Sequence, residues 1–233
     1  MNLIKKAKKS LGQNFLIDQN IVKKIINIGN INENKTVLEI GPGYGSLTKK
    51  IVSMNPNTIF AIEKDKKLSV APLTTHITLG QVSKKINKLK IIKKVKIINN
   101  FYKKIFNKNP NIGVLGLNPH NFSSTKKSEE KEIIFPAIKI IKKSRIKVMG
   151  PVSPDTSFML FKRYKLDVIL GMYHDQVLSP FKALFEYDAI NITLGLPYFR
   201  ISPDHGVAEN IIGKNIANPK SLIESIKFFN YIK

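Results

Sequence analysis

Four histidines carry most of the chemistry this 233-residue chain can offer near neutral pH: His76, His120, His174 and His205. His120 and His174 each follow an apolar run, where open α/β sheets collect functional groups beyond the carboxyl ends of their strands. His76 follows Thr74-Thr75. Three imidazoles in such positions admit two readings. One is a three-nitrogen site for a divalent metal with open coordination positions; the other is three separate structural hydrogen-bonding groups. The three lie far apart in sequence, so only tertiary folding can unite them. Cysteine is absent, which excludes a thiol nucleophile, an iron–sulfur cluster, a Cys-ligated zinc and a disulfide scaffold.

The elements that must position these residues alternate in type. Residues 83–106 have the period of one long amphipathic helix, with Ile91, Val95, Ile98, Tyr102 and Ile105 on a stripe and lysines elsewhere. Residues 112–117 form an apolar run leading to Asn118-Pro119-His120, and residues 129–143 read as a helix. Residues 167–173 are a second apolar run, leading to His174-Asp175, and residues 190–194 are a third, ending at Gly195. Strands alternating with helices predict an α/β fold with a mostly parallel sheet and flanking helices.

The start of the chain has a different pattern. Asp18 caps a predicted helix through Ile21, Val22, Ile25 and Ile26, which Gly29-Asn30 ends. A short strand at residues 36–40 runs into Gly41-Pro42-Gly43-Tyr44-Gly45, then a helix at 46–52 and a strand at 58–62 followed by Glu63. Glycines let backbone approach a ligand closely, and an acid ending the next strand can accept from both hydroxyls of a ribose. The spacing suits a nucleoside without phosphates, and it equally suits an ordinary strand–turn–helix connection.

Charge and composition narrow the class further. There are 39 basic and 16 acidic residues, for a net charge of +23, and 42% of the chain is apolar, enough for a packed core. Only Arg145, Arg163 and Arg200 are arginines; the abundant Lys, Ile and Asn are the residues of A/T-rich codons. Either composition alone makes the chain basic, or a true footprint meets RNA. Residues 68–110 carry ten lysines and no carboxylate. That helix reads as a lysine-rich cover over a sheet or as a basic face for RNA or a membrane surface. No run approaches the roughly 18 apolar residues of a membrane span, and no apolar signal core follows the basic first ten residues. A cytoplasmic protein without membrane contact is expected.

Two resemblances sharpen these expectations. Lys9-Ser10-Leu11-Gly12-Gln13-Asn14-Phe15-Leu16, with Glu39-Ile40-Gly41-Pro42-Gly43 downstream, resembles the start of the bacterial 16S ribosomal RNA adenine dimethyltransferases. That resemblance covers residues 1–67 and implies S-adenosylmethionine contacts at Asn14, Leu16, Gly41 and Glu63. The family's later catalytic motif is missing: Asn118-Pro119-His120-Asn121 has the wrong order, and Leu196-Pro197-Tyr198 is preceded by Gly195. Residues 1–67 are thus expected to be a truncated Rossmann-like methyltransferase fragment that binds S-adenosylmethionine weakly or not at all.

Residues 69–233 resemble the C-terminal half of the 4-hydroxythreonine-4-phosphate dehydrogenases of vitamin B6 synthesis. The resemblance rests on five segments in register. They are Thr74-Thr75-His76, Gly116-Leu117-Asn118-Pro119-His120, Met172-Tyr173-His174-Asp175-Gln176, Asn191-Ile192-Thr193-Leu194-Gly195-Leu196-Pro197 and Asp204-His205-Gly206. It implies an isocitrate/isopropylmalate dehydrogenase-like sheet, and a divalent metal (zinc, magnesium or cobalt) on His76, His120 and His174. It also implies substrate contacts at Lys182, Asn191 and Arg200, NAD as hydride acceptor, a small phosphorylated amino acid as substrate, and a homodimer that draws site residues from both subunits. His205 is expected nearby without being a ligand. The pattern departs from the family at residues 121–125, which replace a glycine-rich loop, and at Val177, which replaces the glycine after Gln176. The architecture expected is therefore two separately packed units, 1–67 and 69–233, with a boundary near Lys67–Pro72. Oxidation and decarboxylation of the phosphorylated amino acid is the expected function. An RNA methyltransferase that meets RNA, or a catalytically silent chimera, is the alternative.

Overall fold

Ser69–Thr74, Ile112–Leu115 and Val168–Tyr173 are the strands around which the molecule is built, and the first two are buried at every position. Strands covered on both faces read as continuous apolar runs, as these largely do. The computed structural model describes residues 18–28, 36–38, 59–63, 68–121, 127–196, 198–204, 211 and 214–232. Its strands are β1 (Thr36–Leu38), β2 (Ile59–Glu63), β3 (Ser69–Thr74), β4 (Ile112–Leu115), β5 (Val148–Val152), β6 (Val168–Tyr173), β7 (Ala189–Thr193) and β8 (Phe199–Pro203). Its helices are α1 (Gln19–Ile28), α2 (Val82–Lys85), α3 (Lys88–Phe106), α4 (Phe135–Lys143), α5 (Pro154–Leu160), α6 (His174–Phe185) and α7 (Lys220–Tyr231).

All eight strands join one sheet in the order β1-β8-β7-β2-β3-β6-β4-β5. β3, β6, β4 and β5 form a parallel block. β2 runs antiparallel to both β3 and β7, β7 is antiparallel to β8, and β1 is parallel to β8. The α/β architecture with flanking helices is as expected, while the half of the sheet before β3 is mixed.

Alternation along the strands assigns the two faces. Ala71, Leu73, Ile112, Val114, Val168 and Leu170 pack with Ile91, Val95 and Ile98 of α3 and with Ala137, Ile138 and Ile141 of α4. Val70, Ile169 and Ala189 point the other way, onto Val177, Leu178 and Phe181 of α6. Each fully buried Ile, Leu or Phe contributes about 1.5–3 kcal/mol relative to exposure. The Tyr102 hydroxyl of α3 shares a hydrogen bond of 2.8 Å with Ser69 Oγ and donates to the Asp167 carbonyl at 3.2 Å. It ties the helix to the starts of β3 and β6, and burial pushes its phenol pKa above the usual range.

Several expectations are corrected. The helix expected over 83–106 is two helices, because Asn87 is extended and its side chain accepts from Lys90 N, which starts α3 at Lys88. The helix expected over 129–143 opens with a π turn at Glu130–Ile134 before α4, where Pro136 sits at the start. β3 is a central strand despite Pro72. Its pairing with β2 involves only Ser69 and Val70, so the missing N–H of Pro72 breaks no ladder on that side.

The separation into two packed units does not appear among the described strands. β2 precedes the expected boundary, yet it sits between β3 and β7 in the same sheet. A Rossmann-like fragment would place β1 beside β2, whereas β8 and β7 stand between them. The physical reason is that a two-stranded fragment buries too little to stand alone, while the larger sheet offers open ladders for each strand. The glycine turn at 41–45 and the helix expected at 46–52 lie outside the described residues.

Candidate active site

β3, β6 and β4 are neighbours and parallel, so their C-terminal ends share one edge of the sheet. His76 lies just past the end of β3, His174 opens α6 directly after β6, and His120 follows β4 on a short turn. The His76 and His174 rings are 5.9 Å apart between centroids, with planes tilted by 38°. His76 (φ 50°) and His120 (φ 52°) both have left-handed backbones. Non-glycine residues hold that conformation where their surroundings over-determine it, and such positions cluster at functional sites.

Carboxylates orient two of these rings. His120 Nδ1 lies 3.1 Å from Asp155 Oδ2, and His174 Nδ1 lies 2.6 Å from Asp175 Oδ1. The Ser153 hydroxyl donates to Asp155 at 2.7 Å, and that bond, with the nearby His120, holds the Asp155 carboxyl below the ordinary range. The structure thus brings His76 and His174 together and turns His120 toward α5. Among the described residues no three His, Cys, Asp or Glu side chains are gathered closely enough to hold a metal ion.

The loop that carries His120 is fastened from behind. Glu130 Oε1 accepts from the backbone N–H groups of Leu117 and Asn118, each at 2.8 Å, and Oε2 accepts from Asn118 Nδ2 at 2.9 Å. Burial raises the Glu130 pKa, but the hydrogen bonds from Asn118 and Leu117 outweigh it and leave the carboxyl below its ordinary value. Gln176 couples the two strand ends: its Nε2 donates to the Gly116 carbonyl at 2.8 Å and its Oε1 accepts from Met172 N at 2.6 Å. A Cβ at Gly116 would lie 1.9 Å from Asn121 Oδ1, so a larger residue there would have to displace the Asn121 amide. Val177, the departure from the resembled pattern, is fully buried, and a Cβ at Gly171 would come within 2.5 Å of its Cγ1.

Lys182, Asn191 and Arg200 belong to the face covered by α6. Lys182 Nζ donates to the Asp204 carbonyl at 2.9 Å and lies 3.5 Å from Asp204 Oδ1. Arg200 Nη1 donates to Thr193 Oγ1 at 3.1 Å, which brings it to the edge where β7 ends. The Asp204 side chain is only 5% exposed. Burial raises its pKa, while the Lys182 ammonium, the Asn191 amide and His174 act in the opposite direction. Asn191 Oδ1 and Asp204 Oδ2 are both buried without a hydrogen-bond partner. Two neighbouring orphan acceptors suit a ligand that brings N–H or O–H donors.

Sequence reasoning missed Asp155, Glu130, Gln176 and Asp204 as site residues. Gln176 and Asp204 stand inside quoted motifs, and that adjacency was the available signal. Asp155 and Glu130 reach the site only through tertiary folding. His205, Asn14, Leu16 and Gly41 lie outside the described residues. Glu63 ends β2 opposite Ala189, the first residue of β7, and so stands at the sheet edge opposite the histidines.

Known proteins resemble this chain in sequence and in fold. The family model described as pyridoxal phosphate biosynthetic protein PdxA matches residues 21–229 and so crosses the expected boundary. The 4-hydroxythreonine-4-phosphate dehydrogenase of Sulfurihydrogenibium sp. (strain YO3AOP1) is 42% identical over 200 residues, covering 84% of this chain and 62% of that protein. The enzyme of that name from Aquifex aeolicus (strain VF5) is 45% identical over 163 residues, covering 70% of this chain and 50% of its own length. The crystal structure of 4-hydroxythreonine-4-phosphate dehydrogenase from Klebsiella pneumoniae superposes with a TM-score of 0.70 at 27% identity, covering 92% of this chain and 70% of that one. The chain spans about half to three-fifths of the length of the curated relatives it matches.

Proposed function

The chain belongs to the PdxA family of pyridoxal phosphate biosynthetic proteins, and on that premise we propose that it acts as a 4-hydroxythreonine-4-phosphate dehydrogenase. The reaction is oxidation of the substrate's secondary alcohol: its carbon loses a hydride to NAD and its oxygen loses a proton. The ketone formed stands β to the carboxylate, so carbon dioxide leaves and 3-amino-2-oxopropyl phosphate results. The observation that carries this reading is the placement of His76, His120 and His174 at the C-terminal ends of three adjacent parallel strands.

Three imidazoles are chemically suited to a divalent cation, and among the described residues they would have to draw closer to hold one. His120 and His174 each turn Nδ1 to a carboxylate, which leaves Nε2 as the ligating nitrogen, the usual outer support of metal-bound imidazole. His76, His120 and His174 would hold zinc, magnesium or cobalt, with His120 drawn in from its loop or supplied across a homodimer. A metal held there would supply a Lewis acid that lowers the pKa of the alcohol, and NAD would supply the hydride acceptor. Lys182 and Arg200 supply positive charge for phosphate and carboxylate, and Arg200's planar fork suits a two-point contact. The substrate's ammonium group is assigned to Asn191 Oδ1 and Asp204 Oδ2, and their burial without a hydrogen-bond partner supports that reading. The protein is proposed to work in the cytoplasm; among the described residues no helix is long and apolar enough to cross a membrane.

The test is a zinc or cobalt titration of wild type and His174→Ala, read as bound metal, alongside reduction of NAD with 4-phosphooxy-threonine. Wild type should bind metal and reduce NAD, and the variant should lose both, with metal affinity falling by roughly 10–100-fold or more. Equal metal content in the two proteins would make the histidines structural and remove the chemical basis of the proposal.

A further inference from the structure

The three histidines of the candidate site follow the ends of β3, β4 and β6, so their spacing depends on how those ends are tied together. The ladder between β4 and β6 pairs Ile112 with Val168, Gly113 with Ile169 and Val114 with Leu170. Gly116 and Met172 stand two positions beyond the last of these pairs. There the Gly116 N–H has turned to the Val152 carbonyl of β5, at 3.0 Å. The Gln176 carboxamide supplies the next rung, with Nε2 donating to the Gly116 carbonyl at 2.8 Å and Oε1 accepting from Met172 N at 2.6 Å. The carbonyl of the same Met172 accepts from Thr74 Oγ1, at the end of β3, at 2.8 Å. Thr74, Met172, Gln176 and Gly116 thus form one hydrogen-bonded chain across three strand ends. Thr74 precedes His76 by two residues, Met172 precedes His174 by two, and Gly116 precedes His120 by four. Met172, Thr74 and Gly116 are all buried.

We infer that Thr74 and Gln176 are positioning residues: acting through the backbone of Met172 and Gly116, they set the spacing of His76, His174 and His120. The inference rests on reading those histidines as the site of a divalent cation, and neither Thr74 nor Gln176 is assigned as a ligand. The rung at 176 needs a group that donates and accepts at once, which a carboxamide does and an ionised carboxylate does not. A buried backbone group that loses its partner has no water to turn to, so the strand ends would shift to recover one. A cation site assembled from three separate elements is sensitive to such a shift; losing an outer hydrogen bond typically changes metal affinity by roughly 10–100-fold. The opposite ends of β3 and β6 provide the contrast. They are tied by the Tyr102 hydroxyl through Ser69 and Asp167, far along the strands from the histidines.

Cobalt titration of the full chain, followed by visible absorption and by bound metal, tests the inference. Thr74→Val and Gln176→Met remove the hydrogen bonds with little change of volume, and each should weaken cobalt binding by roughly tenfold or more. Thr74→Ser keeps the hydroxyl and should restore the wild-type affinity. Tyr102→Phe cuts the tie at the other ends of the strands; it should lower the denaturant midpoint and leave cobalt affinity unchanged. Wild-type affinity in either Thr74→Val or Gln176→Met overturns the inference while the histidine reading stands. So does a loss in Thr74→Ser as large as in Thr74→Val, because the hydroxyl would not be its cause. Equal weakening in Tyr102→Phe overturns it too, because loosening anywhere in the sheet would then suffice. A wild type that binds no cobalt overturns the histidine reading and this inference with it.

Discussion

Asp204 shows how far a single side chain can depart from its ordinary behaviour when the fold buries it. Its carboxyl pKa is raised by burial, and the Lys182 ammonium and Asn191 amide only partly offset this. A raised native value means that the folded protein holds the proton more tightly than the unfolded chain does. The benefit of that proton is complete below the ordinary Asp value and is lost as pH rises through the native one. Asp204→Asn should therefore be more stable than wild type at neutral pH, with the difference shrinking as pH falls toward the ordinary carboxylate range. Denaturant unfolding of both proteins across that range checks it; a pH-independent difference would show that burial does not govern this group. The variant should also lose activity, because one of the two orphan acceptors is replaced by an amide. Part of the candidate site was legible before folding: His76, His120, His174 and Asn191 stand in recognisable motifs, while Lys182 and Arg200 were expected only through the family resemblance. Of these, the structure brings the His76 and His174 rings together and turns His120 toward Asp155. Asp155 was not legible, because only the packing of α5 under the β4 loop brings it to His120.

At the level of elements, the site depends on strand ends being fastened to one another. Glu130 closes the end of β4 from the π turn that precedes α4, by accepting two backbone N–H groups. Glu130→Ala strands those donors and should cost on the order of 2 kcal/mol in denaturant unfolding. Because the Glu130 pKa is depressed in the folded state, its contribution is present above the ordinary glutamate value and fades as pH falls through the native one. Wild type and variant should thus converge in stability in acid, and a gap that persists there would mean that packing, not the carboxylate, is responsible. The strands near 112–117, 167–173 and 190–194 were legible from apolar runs bounded by turns. β3 was not, since Pro72 argues against a central strand and only the short reach of β2 makes it tolerable. The break before α3 was hidden for a related reason: the apolar period continues through Ile86, and only Asn87's own side chain starts a new helix.

For the whole molecule, the decisive element is β2. Sequence pattern assigned residues 58–62 to a separate unit spanning 1–67, because the sequence on either side of Lys67–Pro72 resembles different families. Pairing energy is indifferent to that origin. β2 meets β7 at five register positions, Ile59 to Glu63, and meets β3 at two, so it bridges the parallel block to β7 and β8. Without it, β3 and β7 would face each other across a gap with unpaired N–H and C=O groups, an aggregation-prone arrangement. A fragment comprising residues 68–233 should therefore be less soluble than the full chain, or unfold at a lower denaturant midpoint with reduced cooperativity. The full chain should unfold in a single transition when followed by both circular dichroism and tyrosine fluorescence. A fragment that is soluble and monodisperse, with the midpoint and denaturant slope of the full chain, would restore the picture of two separately packed units and leave residues 1–67 as an appendage.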